Sequence, residues 1–243
     1  MATNADAVIT VRGLSKRFGL KTVLRALNFD VARGEFVALM GPNGAGKTTF
    51  LRILASLSRP THGEVQVAGH RLPQEAVGVR RRLGVVSHQP LLYGDLTAAE
   101  NLRFFARLYS LPSPDKRIDD MLRLVGLYRR RHEPVRTFSR GMQQRLAIAR
   151  ALLHDPDLLL LDEPYTGLDQ DAAATLDVLL RQVAEQGRTV VMTSHDLGRV
   201  AALATRFDVL TRGRIVASAS RAMISEAELL GFYRRAVEGK GRP

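Results

Sequence analysis

The sequence predicts an α/β fold with an inserted helical segment, and three observations carry the prediction. Apolar runs of buried-strand length, Glu35-Phe36-Val37-Ala38-Leu39-Met40, Leu158-Leu159-Leu160-Leu161 and Thr189-Val190-Val191-Met192-Thr193, alternate with stretches of helical periodicity. A glycine-rich stretch, Gly41-Pro42-Asn43-Gly44-Ala45-Gly46-Lys47-Thr48, links the first run to a helix-forming one. From Thr97 to about Arg150 the pattern turns helical throughout.

The elements follow in order. Val8-Ile9-Thr10-Val11 is a short β run, and Val23 to Val31 holds a second with alternating apolar positions. Arg17-Phe18-Gly19 lies between them. After the glycine-rich stretch, Thr49 to Leu57 reads as a helix with Phe50, Ile53, Leu54 and Leu57 on one face. Thr61-His62-Gly63 is a turn, and Glu64-Val65-Gln66-Val67 alternates as a half-buried strand does. Leu83 to Ser87 is a buried strand ending at His88-Gln89-Pro90.

Thr97-Ala98-Ala99-Glu100 then forms a capping box, with Leu102, Phe105, Ala106 and Tyr109 sharing a face behind it. Leu111-Pro112-Ser113-Pro114 breaks the run, and Asp115 to Leu127 resumes it. Ser139 is a natural N-cap for a further helix, whose stripe Met142, Leu146, Ala149 and Leu153 reads as core packing. The leucine run is apolar on both faces, as a parallel strand covered on each side is, and delivers Asp162-Glu163 at its C-terminal end. Asp171 to Glu185 is a helix. The next strand ends at Ser194-His195-Asp196, and Phe207 to Leu210 with Arg214 to Ala217 form a hairpin around Arg212-Gly213. Ala222 to Val237 reads as a closing helix with a disordered end.

At 243 residues the chain suffices for one sizeable α/β domain with a subdomain inserted. No run of about 18 apolar residues is present, so no membrane span is expected. A secretory leader pattern is absent at the N-terminus. The lack of cysteine excludes disulfides, thiolate metal sites and a C-x-x-C-H haem attachment. The net charge of +12 does not by itself indicate nucleic acid. Its dense clusters, Arg80-Arg81-Arg82 and Arg129-Arg130-Arg131, suit a solvated face or a surface near anionic lipid equally well, and no interleaved aromatic motif accompanies them. No nucleic-acid partner is expected.

The glycine-rich stretch fits G-x-x-x-x-G-K-[ST] at every fixed position, between a strand and a helix. Gly41, Gly44 and Gly46 let the backbone turn and approach a ligand closely. Successive N–H groups and the helix N-terminus then face an anion such as a di- or triphosphate. Lys47 adds a point charge for the β- and γ-phosphates, and the Thr48 hydroxyl is placed for Mg²⁺.

With these pieces ordered, the chain resembles the nucleotide-binding subunit of an ABC transporter over essentially its whole length. Gly41 to Thr48 is the Walker A loop, and Gln89 stands at the Q-loop glutamine. Phe138-Ser139-Arg140-Gly141-Met142-Gln143-Gln144-Arg145 stands where the family has LSGGQQQR. Leu158 to Asp162 is the Walker B strand with Glu163 following, Thr166-Gly167-Leu168-Asp169 matches the D-loop, His195 the switch histidine and Phe18 the adenine-stacking aromatic. Arg140 replaces a glycine and Met142 a glutamine; Ser139 and Gly141 are retained.

The resemblance implies a P-loop NTPase: a RecA-like core, an N-terminal antiparallel β-subdomain and an inserted helical subdomain. One ABC ATPase domain would span 1–243. Residues 1–90 would form the β-subdomain and Walker A core, 91–150 the helical subdomain, 151–220 the rest of the core and 221–243 a C-terminal helix and tail. ATP and Mg²⁺ are the implied ligands. ATP would meet Phe18, Gly41 to Thr48 and Thr49, and in trans Ser139, Gly141 and Met142. Thr48 and Gln89 would touch Mg²⁺, with Asp162 acting through water. Glu163 would polarise the attacking water, His195 would hold the γ-phosphate in line, and Asp169 would communicate across the dimer.

Taken singly, Gln89 also reads as a loop amide, His195 as a structural histidine, Glu163 as a helix-start carboxylate and Phe18 as a surface aromatic. The implied partners are a second copy in a head-to-tail ATP sandwich and separate transmembrane subunits, at the cytoplasmic face of the membrane. Leu91, Leu92 and Tyr93 read either as the floor of a groove for a partner helix or as packing of the helical subdomain. The stretch Ser87 to Thr97 with Glu100-Asn101-Leu102, and Leu161 to Asp169, look most like the ATP-binding subunit of the haem exporter of cytochrome c biogenesis. The implied function is then ATP hydrolysis driving haem export, without haem bound to this chain. A drug, lipid or polysaccharide exporter is the alternative, and a non-transport ABC ATPase a further one.

Overall fold

A computed structural model describes residues 6–87 and 89–239. Along the chain run β1 (Ala7–Phe18), β2 (Lys21–Ala32), β3 (Phe36–Met40), α1 (Lys47–Leu54), β4 (His62–Val67), β5 (His70–Leu72), α2 (Ala76–Arg82) and β6 (Leu83–Val86). There follow α3 (Ala98–Leu108), α4 (Asp115–Leu124), α5 (Arg140–Leu152), β7 (Leu158–Asp162), α6 (Gln170–Glu185), β8 (Thr189–Thr193), α7 (Leu197–Leu203), β9 (Arg206–Thr211), β10 (Arg214–Ser220) and α8 (Glu226–Val237). His88 and the last residues of the expected tail, 240–243, lie outside the described residues.

The strands make two sheets. One is four-stranded in the order β2-β1-β4-β5, its pairs antiparallel. The other is six-stranded in the order β10-β9-β3-β8-β7-β6, parallel except at the β9–β10 hairpin. Residues alternate between faces along a strand, so a strand covered on both sides is apolar throughout. In β3, Phe36, Ala38 and Met40 join the core beneath the helices that follow, whereas Val37 and Leu39 pack with α1 and the antiparallel sheet. β7 divides likewise, Leu159 and Leu161 to one side and Leu158 and Leu160 to the other. This explains the unbroken leucine run. The C-terminal ends of the neighbouring strands β3, β8 and β7 therefore deliver Gly41, Ser194 and Glu163 to one edge of the sheet.

The helical segment forms with one shortening: α4 stops at Leu124, short of the expected Leu127, where Gly126 turns left-handed (φ 68°). Thr97 accepts from the Glu100 N–H at 3.2 Å while the Glu100 carboxylate accepts from the Thr97 N–H at 2.8 Å, closing the capping box of α3. Two further readings change. The first helix ends at Leu54, because Ser56 turns left-handed (φ 59°), and Leu57 is left 52% exposed, off the buried face. The expected turn at His62-Gly63 is instead the start of β4, where His62 pairs with Ser15. Neither β5 nor α2 is legible in the sequence, being short and weakly periodic.

His154, just beyond α5, stacks flat on Tyr109 with ring centroids 3.8 Å apart. Burial pulls its pKa from 6.5 down to about 4. A folded-state value below the unfolded one makes the unfolded chain bind the proton first as pH falls, so stability is lost from pH 6.5 down to about 4. His154→Phe keeps a ring against Tyr109 and removes that proton. Its thermal midpoint should fall less than that of the wild type between about pH 7 and about pH 4.5. Parallel declines would show that His154 does not contribute.

Candidate nucleotide site

The glycine-rich loop is pressed against neighbours that leave no room for a side chain at Gly41 or Gly46. A Cβ on Gly41 would lie 2.1 Å from the Leu210 carbonyl oxygen, and one on Gly46 2.8 Å from Leu24 Cδ2. Gly46 also has φ 112°, a region few other residues enter. The loop is tied to the β9–β10 turn by Gly213 N–H donating to the Ala45 carbonyl at 3.0 Å. It lines a pocket of about 710 Å³ together with β2, Glu163, Arg212 and Arg214.

Lys47 opens α1 with its side chain buried inside the loop. Its ammonium donates to the Gly41 carbonyl at 2.6 Å and lies 3.9 Å from Glu163 Oε1. Burial lowers its pKa, against the pull of Glu163 and Asp162. Thr48, next along the helix, donates its hydroxyl to Asp162 Oδ1 at 3.2 Å.

Asp162 ends β7 and is buried, accepting a second hydroxyl bond from Thr193 at 2.8 Å. Glu163 has φ 51°, left-handed for a residue with a Cβ, which costs about 1–3 kcal/mol. Its N–H donates to the Thr193 hydroxyl at 2.9 Å and to the Thr193 carbonyl at 3.2 Å. The carboxylate is thereby held between Lys47 and His195, whose Nδ1 lies 2.8 Å from Oε2. The imidazole is exposed at the rim.

The oxygen donors suit Mg²⁺. Among the described residues no cluster of three or more His, Cys, Asp or Glu could hold a metal alone. Magnesium does not need one: it keeps waters and takes one or two protein oxygens plus substrate phosphates. The Thr48 hydroxyl beside the Asp162 carboxylate, at the mouth of a phosphate-sized loop, meets that requirement.

Other expected residues lie elsewhere. Ser139 caps α5, accepting from the Met142 N–H at 3.3 Å, and neither it nor Gly141 lines the phosphate pocket. Met142 has its side chain buried in the core of its own chain, its sulfur accepting from Arg130 at 3.2 Å. Asp169 caps α6 through the Ala172 N–H and shares a hollow of about 300 Å³ with Glu163 and His195. Gln89 is exposed after β6, its carbonyl accepting from Ser87, and is not part of the pocket lining. Phe18 is 54% exposed and also outside that lining, with the Lys16 ammonium 4.7 Å from its ring centre. Leu91 and Tyr93 stay exposed, and Leu91 lines a separate groove with Phe105 and Leu108.

Sequence reasoning missed Thr193, whose hydroxyl serves Asp162 and Glu163 together. It also missed Lys21, Arg25, Arg212 and Arg214, which rim the pocket. Only the position of Thr193 at the end of an apolar strand could have signalled it.

A family model described as ABC transporter matches residues 24–166. A Nod factor export ATP-binding protein I of Ralstonia nicotianae is 40% identical over 212 residues, 86% of this chain and 66% of that protein. A daunorubicin resistance ATP-binding protein of Streptomyces coeruleorubidus is 40% identical over 215 residues, 88% of this chain and 68% of that protein. The chain thus spans about two thirds of the length of these relatives. A solved ATP binding subunit of an ABC transporter superposes with TM-score 0.84 at 31% identity, over 93% of this chain and 99% of the other. An ATP-binding cassette solved as a dimer in a post-hydrolysis state, bound to ADP and Pi, gives TM-score 0.81 at 30% identity, over 88% and 98%. The chain belongs to the ABC transporter family and carries the ATPase domain of that family.

Proposed function

We propose that this ATPase domain drives an exporter of the drug, lipid or polysaccharide type, working as a dimer beneath membrane-spanning subunits on separate chains. The observation that carries the ATPase chemistry is the convergence of Lys47, Asp162, Glu163 and His195 at neighbouring strand ends. The triphosphate lies along residues 41–48, its β- and γ-oxygens on the Lys47 ammonium and the loop N–H groups. Thr48 directly and Asp162 through water would hold Mg²⁺, which would supply positive charge beside those oxygens. Glu163 accepts a proton from the attacking water, and His195 orients that carboxylate through its 2.8 Å contact. The Ser139 helix tip and Asp169 act on the partner's nucleotide, in keeping with their place outside the phosphate pocket of their own chain. Gln89 would reach the metal and Phe18 the adenine from outside that pocket lining.

The cargo reading is a correction to the haem-export expectation. Relatives named for Nod factor export, daunorubicin resistance and linearmycin resistance support the alternative. The haem reading retains the sequence likeness of Ser87 to Thr97, Glu100 to Leu102 and Leu161 to Asp169, and His88 lies outside the described residues. No helix among the described residues is long and apolar enough to cross a membrane. A peripheral place at the cytoplasmic membrane face, docked to spanning partners, is part of this reading.

The test is a cell in which the chain carries Glu163→Gln and no second copy exists. Susceptibility to a panel of amphiphilic antibiotics should rise while haem-stained c-type cytochromes stay at wild-type level. Selective loss of holocytochrome, restored by the wild-type chain, would return the assignment to haem export.

A further inference from the structure

The α5 helix does more than present Ser139. Arg140 Nε donates to the Thr166 carbonyl at 3.2 Å, and Gln144 Nε2 donates to the Pro164 carbonyl at 3.0 Å. Residues four apart on a helix are neighbours on one face. Their acceptors are two residues apart in the loop that leaves Glu163. One face of α5 therefore grips that loop twice, just after the residue with φ 51°. A non-glycine residue in that conformation persists only where its surroundings fix it.

The Arg140 contact is fitted. Gly167, next to its acceptor, has φ 76°, and a Cβ there would lie 2.4 Å from Arg140 Nε and 2.5 Å from Cδ. The arginine stem thus lies flat across the glycine. On the loop's other side, the Tyr165 hydroxyl donates to Asp177 of α6 at 2.6 Å. A glycine at position 140, which the resembled motif carries, has no side chain to reach the Thr166 carbonyl.

We propose that Arg140 and Gln144 are positioning residues for Glu163, clamping its loop to α5 so that the carboxylate stays aimed between Lys47 and His195. The replacement of glycine by Arg140 adds the outer of the two contacts. This rests on Glu163 being the base, as proposed above. A small displacement of a reacting group lowers the rate more than binding. Within one chain the nucleotide pocket is lined by the glycine-rich loop, and neither Arg140 nor Gln144 belongs to that lining.

The experiment uses the full chain with Arg140→Met, Arg140→Gly and Arg140→Lys, measuring steady-state ATPase and hydrogen exchange of the 164–168 backbone. Arg140→Met and Arg140→Gly should lower kcat about fivefold while KM for ATP stays within about twofold. Exchange across 164–168 should quicken in both. Arg140→Lys keeps a donor on a long stem and should recover most of kcat and of the protection. Gln144→Leu should give the same split; being more buried, it is read only if its thermal melt is unchanged, and the Arg140 series decides alone otherwise. Unaltered kcat and exchange in Arg140→Met overturn the clamp, as does an equal loss in Arg140→Lys. Glu163→Gln, run in parallel, separates the two ideas. If that variant turns over normally the base assignment fails, while the exchange data still decide the clamp.

Discussion

Glu163→Gln should reduce ATP turnover by about a thousandfold, the middle of the range for removing a positioned base. The substitution is nearly isosteric, so the left-handed backbone and the N–H contacts to Thr193 are preserved. What is lost is the proton acceptor. Nucleotide affinity should hold or tighten, because a negative charge 3.9 Å from the Lys47 ammonium no longer competes with phosphate for that cation. Phosphate release measured beside equilibrium ATP titration decides it. Turnover near the wild-type rate would sink Glu163 as the base and shift attention to His195, its hydrogen-bonded neighbour.

The parts of this site that were legible in the sequence are those whose chemistry is local. Gly41 to Thr48 declares itself because loop, cation and hydroxyl are consecutive, and Asp162-Glu163 because a strand apolar on both faces ends there. The caps at Thr97 and Ser139 depend on residues three apart and were equally readable. Contacts made across the fold were not. Thr193 looks like any β-branched residue at a strand end until β8 sets it beside Asp162. The reach of Arg140 to Thr166 spans 26 residues, and no periodicity announces it. Met142 is core by its helical stripe, as its burial bears out, whereas its nucleotide role comes only from its place in a motif. Cargo was the least legible property. No local chemistry of this chain marks it, so likeness in the Ser87 to Thr97 stretch is a weak guide.

Lys47→Ala should show the opposite signature: ATP affinity falls by about a hundredfold, the order expected on losing charge-assisted bonds to two phosphates. The side chain is 8% exposed, so its ammonium has already surrendered most of its water to the loop. Carbonyl contacts at Gly41 and Pro42 replace part of that hydration, and the lowered pKa records the remainder. A cation held this way meets phosphate with little further desolvation, which is why it binds strongly. Its removal also takes away a positive charge that interacts with both Asp162 and Glu163, so those carboxylates then repel the incoming nucleotide more strongly. Fluorescent-nucleotide titration of the two variants side by side is the check. Retained affinity with lost turnover in Glu163→Gln, against lost affinity in Lys47→Ala, assigns binding to the loop and proton transfer to the strand end. Affinity within about threefold of wild type in Lys47→Ala would mean the loop N–H groups alone carry the phosphate.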